Sequence, residues 1–452
     1  MPPSVPGGTD TAKFTHVSVG LRHNLLPHTA LADCPTNFRP ALFTPDFSFD
    51  IQPAAYIISG VALLLAIYTG FFYTAICRRV VRAERRDTAA AHIADAECID
   101  KDSGGVDLSD SCAEPVSVVV RSRDDASSLE KLLPELLNQE YAPGFEVIVV
   151  NEGASQPTSE LVDGLRTVYH NLYLTFTPDR ALNLSQKKLA VTLGVKAARY
   201  GIVLLISADT VVNSRRWLAR MARHFANGAT EVVLGYASPV PGVDRGRGSR
   251  TRAFNHAEAS VAWLSEALAG RPYRGTEYNM GFRTSRFFAN KGFSRSLNLR
   301  EGVDDIFVNE IADGDNTAVE LGAPARVNCD FYDPREQLRA DRATRRFTAR
   351  FLPRRGAMML NFGPLAVLAV AGLFAWASVL AWPAVVVAIA GAVTVIALIA
   401  VICHWWHRAF VAIGARPLAL TLPWLLLSRP LRAACFALRR AKSDGRQYTY
   451  TH

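Results

Sequence analysis

Apolar residues cluster in two regions of the chain. Residues 54–77 read AAYIISGVALLLAIYTGFFYTAIC, 24 uncharged residues, enough for a helix to cross a hydrocarbon core of roughly 30 Å. Residues 358–403 hold two further apolar runs, broken only by Ala381, Trp382 and Pro383, and this pattern predicts a membrane hairpin. Between these regions, residues 114–350 alternate apolar runs of β character (VSVVV, FEVIVV, IVLLIS, EVVLGY) with segments of helical period. That alternation predicts an α/β domain with a doubly wound, mostly parallel sheet.

The polar stretches divide the rest. Residues 1–53 are polar and turn-rich, with no charged stretch leading into an apolar core, and read as a disordered tail without a cleavable signal peptide. Residues 78–113 read as a basic flank followed by a linker rich in charged and small residues. Residues 404–452 carry apolar stretches interrupted by Pro417, Pro423 and Pro430 and studded with arginine. An interfacial helix suits that segment better than a fourth span.

Charge changes the picture in one respect. The chain has 50 basic and 41 acidic residues, but the arginines gather beside the apolar runs, as Arg78, Arg79, Arg82, Arg85 and Arg86 do after the first. Basic flanks mark cytoplasmic ends, so the expectation is a multi-pass protein of a cytoplasmic membrane with its globular domain inside. No arginine stripe interleaved with aromatics runs through that domain, which argues against a nucleic-acid partner. The seven cysteines lie far apart with no CxxC pair, and neither a zinc site nor a disulfide framework is expected.

Four polar clusters fall where predicted strands end, the edge at which open α/β sheets bind ligands. PVSVVVRSRDD ends in Arg121, Arg123, Asp124 and Asp125. EVIVVNEGAS ends in Asn151 and Glu152, a carboxylate placed to accept bonds from a nucleobase or ribose. SQKKLAVTLGVKAARYGIVLLISADT places Lys187 at a helix start and Asp209 at a strand end, a ligand type that suits Mg2+ or Mn2+. Finally, REGVDDIFVNEIA sets Asp304 and Asp305 before a helical pattern, as helix-dipole partners or as a base for an acceptor hydroxyl. Any one of these is, taken alone, more often a cap or a solvated turn.

Taken in order, residues 115–350 resemble the family-two glycosyltransferases of the GT-A fold, in particular bacterial members with one N-terminal span and a C-terminal membrane hairpin. The Arg-Asn-Glu-like turn is matched by Arg123, Asp124 and Asp125, and the Asn/Asp-Asp pair by Asn151 and Glu152. The Lys-x-x-Ala-x-x-x-Gly helix is matched by Lys187, Ala190 and Gly194. The Asp-x-Asp metal motif becomes Ser207, Ala208 and Asp209, and the base motif Gly-Glu/Asp-Asp becomes Gly302, Val303 and Asp304, so each lacks one carboxylate. The Gln-x-x-Arg-Trp signature of processive members is absent from REQLRADRATRRFTARF.

The resemblance implies an inverting transferase, metal-dependent through Asp209, that moves one or a few sugars from a nucleotide-diphosphate sugar to a hydroxyl of a glycan or glycolipid acceptor. Asp304, with Asp305 beside it, is the implied catalytic base. Arg123, Asp125, Asn151, Glu152, Lys187, Asp209, Arg345 and Arg346 are the implied donor-binding residues. Ser207 and Val303 motivate the alternative, a catalytically degenerate member that binds nucleotide sugar or a partner enzyme.

Overall fold

The structure, a computed structural model, describes residues 53–99, 114–178, 185–240, 242–382 and 385–440. Residues 1–52 and 100–113 of the expected tail and linker lie outside the described residues.

The continuous apolar runs form strands buried on both faces. β1 (Val116–Ser122), β2 (Phe145–Glu152), β3 (Leu172–Thr177) and β4 (Ile202–Ser207) lie parallel in the order β3-β2-β1-β4. Their crossovers carry α2 (Ala126–Leu137), α3 (Gln156–Arg166) and α4 (Gln186–Ala197). β5 (Thr210–Val212), α5 (Trp217–Ala222), β6 (Val232–Leu234), β7 (Ala237–Pro239), α6 (Ser249–Ala267), β8 (Met280–Arg283) and α7 (Thr284–Ala289) follow. Then come α8 (Ile306–Ile311), β9 (Thr317–Val319), β10 (Val327–Cys329) and α9 (Pro334–Thr348). The main sheet has seven strands in the order β3-β2-β1-β4-β8-β6-β9, and β8 runs antiparallel to both its neighbours. A smaller sheet has the order β5-β10-β7.

Register sets the functional edge. Arg121 in β1 stands opposite Ser207 in β4, and Ser122 opposite Asn151 in β2, so the clusters read from sequence emerge side by side. Close packing of α4 beneath this edge depends on Gly194, where a Cβ would fall 2.4 Å from Val119 Cγ1 and 3.1 Å from Val150 Cγ2. The glycine of the Lys-x-x-Ala-x-x-x-Gly pattern is therefore a packing residue.

Among the described residues, three helices are long and apolar enough to cross a membrane: α1 (Pro53–Ile99), α10 (Arg355–Leu380) and α11 (Val385–Ala412). The protein is accordingly a multi-pass membrane protein. α12 (Leu422–Leu427) and α13 (Arg429–Arg440) have 6 and 12 residues, too short to span.

The first helix departs from expectation. It runs on past Cys77 through the basic flank and into the stretch read as linker from about Asp87, to Ile99. The polar residues of this stretch are docking groups: Asp87, fully buried, accepts from the Leu321 amide at 3.0 Å and pairs with Arg223 at 3.0 Å. Glu84 pairs with Arg326 at 3.0 Å, and Arg220 donates to the Ala90 and Ala91 carbonyls. Val80, Val81, Ala83 and Ala91 are buried alongside. The second hairpin helix likewise continues past Cys403 to Ala412.

Candidate active site

The carboxyl edge of β1, β2 and β4 carries a chain of charges that alternate in sign. Arg121 Nη1 lies 2.9 Å from Glu152 Oε1, and its Nη2 lies 3.3 Å from Glu277 Oε2. Lys187 Nζ reaches Glu277 Oε1 at 3.1 Å and Glu301 Oε2 at 3.0 Å. Arg121, Glu152 and Glu277 are each more than nine-tenths buried. Burial works against the charge on Arg121, but Glu277 and Glu152 outweigh it and push its pKa upward. Burial likewise opposes the Lys187 charge, and Glu277 and Glu301 more than offset it. Burial would raise the Glu277 carboxyl, yet Arg121 and Lys187 hold it below the ordinary carboxylate value. The network is thus ionised throughout its middle and fixed in geometry.

Two carboxylate oxygens at this edge are buried without a hydrogen-bond partner among the described residues: Glu152 Oε2 and Asp209 Oδ1. Burial raises the Asp209 carboxyl; a bond from Ser207 and the charge of Arg121 lower it, while Glu277 and Asp125 push it up. A buried carboxylate oxygen with no donor is an unfavourable arrangement unless a ligand completes it. A hard divalent cation that keeps several waters and a diphosphate would do so, so Asp209 fits a magnesium or manganese ligand. Among the described residues, no three His, Cys, Asp or Glu side chains gather to form an all-protein metal site.

Just before α8, Gly302 has φ +107°, a conformation open to glycine, and a Cβ there would meet Ile306 at 2.9 Å. This turn delivers two carboxylates with different fates. Asp305 is buried and fully engaged: Oδ1 accepts from the Ile306 amide at 2.7 Å as the cap of α8, while Oδ2 takes Arg274 at 3.2 Å and the Thr348 hydroxyl. Asp304 is partly exposed, and its carboxylate makes no hydrogen bond among the described residues. Burial, then the charges of Asp305 and Glu277, raise its pKa well above the ordinary value, against the pull of Arg274 and Lys187. α9 closes this side with Asp341, which is pushed up to about 6 by burial, against Arg345 and Lys187 and with Glu277 and Asp209.

The site therefore brings together Glu152, Lys187, Asp209, Asp304, Asp305 and Arg345. It leaves others aside. Asn151 is fully buried and turned into its own loop, donating to Ser155 O at 2.7 Å and Ser159 Oγ at 3.1 Å and accepting from the Ser155 amide. Its side chain holds the turn after β2. Arg123 is exposed on the turn after β1, and Asp125 is half-buried at the start of α2. Arg346 is exposed and lines a separate cavity with Arg274 and Arg342. The sequence patterns passed over Glu277, Glu301, Arg274 and Asp341. Glu277 sits three residues before β8 in an unpatterned stretch, and only its two cationic neighbours reveal it.

Residues 117–297 match the family described as Glycosyl transferase family 2. The matched stretch holds β1 to β8, with β1 to β4 the parallel half of the mixed sheet, so this part of the chain is similar to family-two glycosyltransferases. A poly-beta-1,6-N-acetyl-D-glucosamine synthase of Staphylococcus epidermidis is 26% identical over 100 residues, 22% of this chain and 23% of that protein. The chain thus matches about a quarter of the length of this curated relative. Among solved structures, it is similar to the mannosyltransferase PcManGT from Pyrobaculum calidifontis in complex with GDP-Man and Mn2+, at 18% identity and TM-score 0.42, covering 78% of this chain and 99% of that one. It is also similar to S. aureus TarS 1-349, at 16% identity and TM-score 0.36, covering 70% and 92%.

Proposed function

We propose that this chain is an inverting glycosyltransferase that moves a sugar from a nucleotide-diphosphate donor to an acceptor hydroxyl, in the synthesis of a cell-envelope or surface glycan. The observation that carries the reading is the contrast between the adjacent carboxylates: Asp305 is committed to Arg274, Thr348 and the α8 cap, while Asp304 is open beside the Lys187–Glu277–Arg121 network.

In this reading Asp304 accepts the proton of the acceptor hydroxyl as that oxygen forms its bond to the anomeric carbon. The bond from that carbon to the donor's phosphate oxygen breaks, and its electron pair leaves with the nucleotide diphosphate. Attack opposite the leaving group inverts the configuration. Asp305 positions the α8 start and so positions Asp304. Lys187 and Arg345 supply fixed positive charge for the departing diphosphate, and Glu152 accepts from the nucleoside. When bound, a magnesium or manganese ion at Asp209 would add charge stabilisation at the diphosphate.

The arginines after the first span, and Arg354 and Arg355 at the start of α10, favour a bacterial cytoplasmic membrane with the domain on the cytoplasmic face. Ser207 at the first metal-motif position favours the second reading, a binding protein without turnover.

The test is transfer by the purified full chain in detergent, with a panel of nucleotide sugars that includes UDP-GlcNAc and GDP-mannose, with and without manganese. Asp304→Asn should lower turnover by about a hundred- to ten-thousand-fold while donor binding persists. Nucleotide-sugar binding with no product from any donor would instead support the binding-protein reading.

A further inference from the structure

Between the catalytic domain and the membrane helices lies a cavity of about 400 Å³ whose polar wall holds five arginines, Arg274, Arg342, Arg345, Arg346 and Arg429, against one carboxylate, Glu258. Glu258 is already taken by Arg429, whose Nε lies 2.7 Å from Glu258 Oε2 and whose Nη1 donates to the Leu360 carbonyl and to Asn361 Oδ1 at 2.6 Å. Arg274 is more than nine-tenths buried, and its Nε is buried without a hydrogen-bond partner. Like charges crowd the wall: burial, then Arg432, Arg429 and Arg345, push Arg342 down to about 10, against Glu258. Such crowding is relieved by an anion of high charge density, and guanidinium groups match phosphate oxygens in pairs.

The other wall is apolar. Leu352 and Pro353 precede α10, and Leu360 lies in its first turns, at the entry to a candidate span. An aqueous nucleotide has no use for that wall, whereas an acyl or prenyl chain does. Two residues join the cavity to the active site: Arg274 pairs with Asp305 at 3.2 Å, and Arg345 feels the charges of Asp304 and Asp305.

We propose that this cavity is a subsite for the phosphate headgroup of a membrane lipid, and that it anchors a lipid-linked acceptor with its hydroxyl directed toward Asp304. The acceptor role rests on the glycosyl-transfer reading above; the lipid binding does not.

The experiment is native mass spectrometry of the full chain in non-ionic detergent, titrated with phosphatidic acid, with diacylglycerol and with inorganic phosphate. Phosphatidic acid should bind at one saturable site, and diacylglycerol and inorganic phosphate should bind at least ten times more weakly. Arg342→Gln should weaken phosphatidic acid at least tenfold with unchanged melting temperature and nucleotide-sugar binding, and Arg342→Lys should recover most of the affinity. Equal binding of diacylglycerol or inorganic phosphate, or an unaffected Arg342→Gln variant, would overturn the subsite. Phosphatidic acid binding that follows this pattern in a protein inactive with every donor would retain the subsite and remove only its acceptor role.

Discussion

The Lys187 ammonium lies 3.1 Å from the Glu277 carboxylate, although the two residues are 90 positions apart in sequence. Glu277 also holds Arg121, so one buried carboxylate balances a buried guanidinium and a half-buried ammonium. Glu277→Gln removes the shared counter-charge and leaves Lys187 with Glu301 and Arg121 with Glu152. Breaking a buried pair from one side costs about 3 kcal/mol or more, so the variant should melt at a clearly lower temperature, and lose donor affinity, in scanning calorimetry and nucleotide titrations.

The open carboxylate at Asp304 predicts a pH profile. A base must be deprotonated, and burial together with Asp305 and Glu277 raises the pKa of this one despite Arg274 and Lys187. The kcat/KM of the free enzyme should therefore fall as pH drops, with its acid limb centred above the ordinary Asp value of about 3.9. A limb centred at or below that value would assign the proton transfer elsewhere.

Asp341 gives a stability signature of its own. Its folded pKa, about 6, exceeds the unfolded value of about 3.9. The folded chain therefore binds more protons between these values, and the contribution of Asp341 is full below about pH 4 and lost as pH rises through about 6. Asp341→Asn should flatten the melting-temperature profile across that window and melt above the wild type at neutral pH. A parallel decline in both proteins would show that another group dominates.

Within the membrane part, Tyr73 on α1 inserts its hydroxyl into the ladder of α10, donating to the Met359 carbonyl at 2.7 Å and accepting from the Gly363 amide at 2.7 Å. Tyr73→Phe would remove both bonds between the helices, at about 1 kcal/mol for each. Urea or thermal unfolding in detergent micelles should show the loss, with donor binding unchanged in the folded fraction.

The α/β core was legible because VSVVV, FEVIVV and IVLLIS are unbroken apolar runs, the mark of strands covered on both faces. The antiparallel β8 was not: four residues, Met280–Arg283, with a glycine among them, carry no period. In the site, the Gly-Val-Asp-Asp turn could be read as a motif, but nothing local separates Asp304 from Asp305. The difference comes from Arg274 and Thr348, which the fold brings from elsewhere. The amide of Asn151 is committed to a turn only four residues away, a local bond that the strand-end motif does not reveal. The stretch from Asp87 resembled a linker because the charge of Asp87 finds its partners only in segments distant in the chain.

That last stretch bears on how the enzyme meets its surroundings. Because Asp87 and Glu84 clamp a helix continuous with the first span to Arg223, Leu321 and Arg326, the catalytic cleft cannot swing about on a leash. Its height and tilt relative to the first span are set in advance, so in the proposed transfer an acceptor must come to a fixed mouth, and lengthening α1 by a single turn would lift that mouth out of register with the lipid subsite.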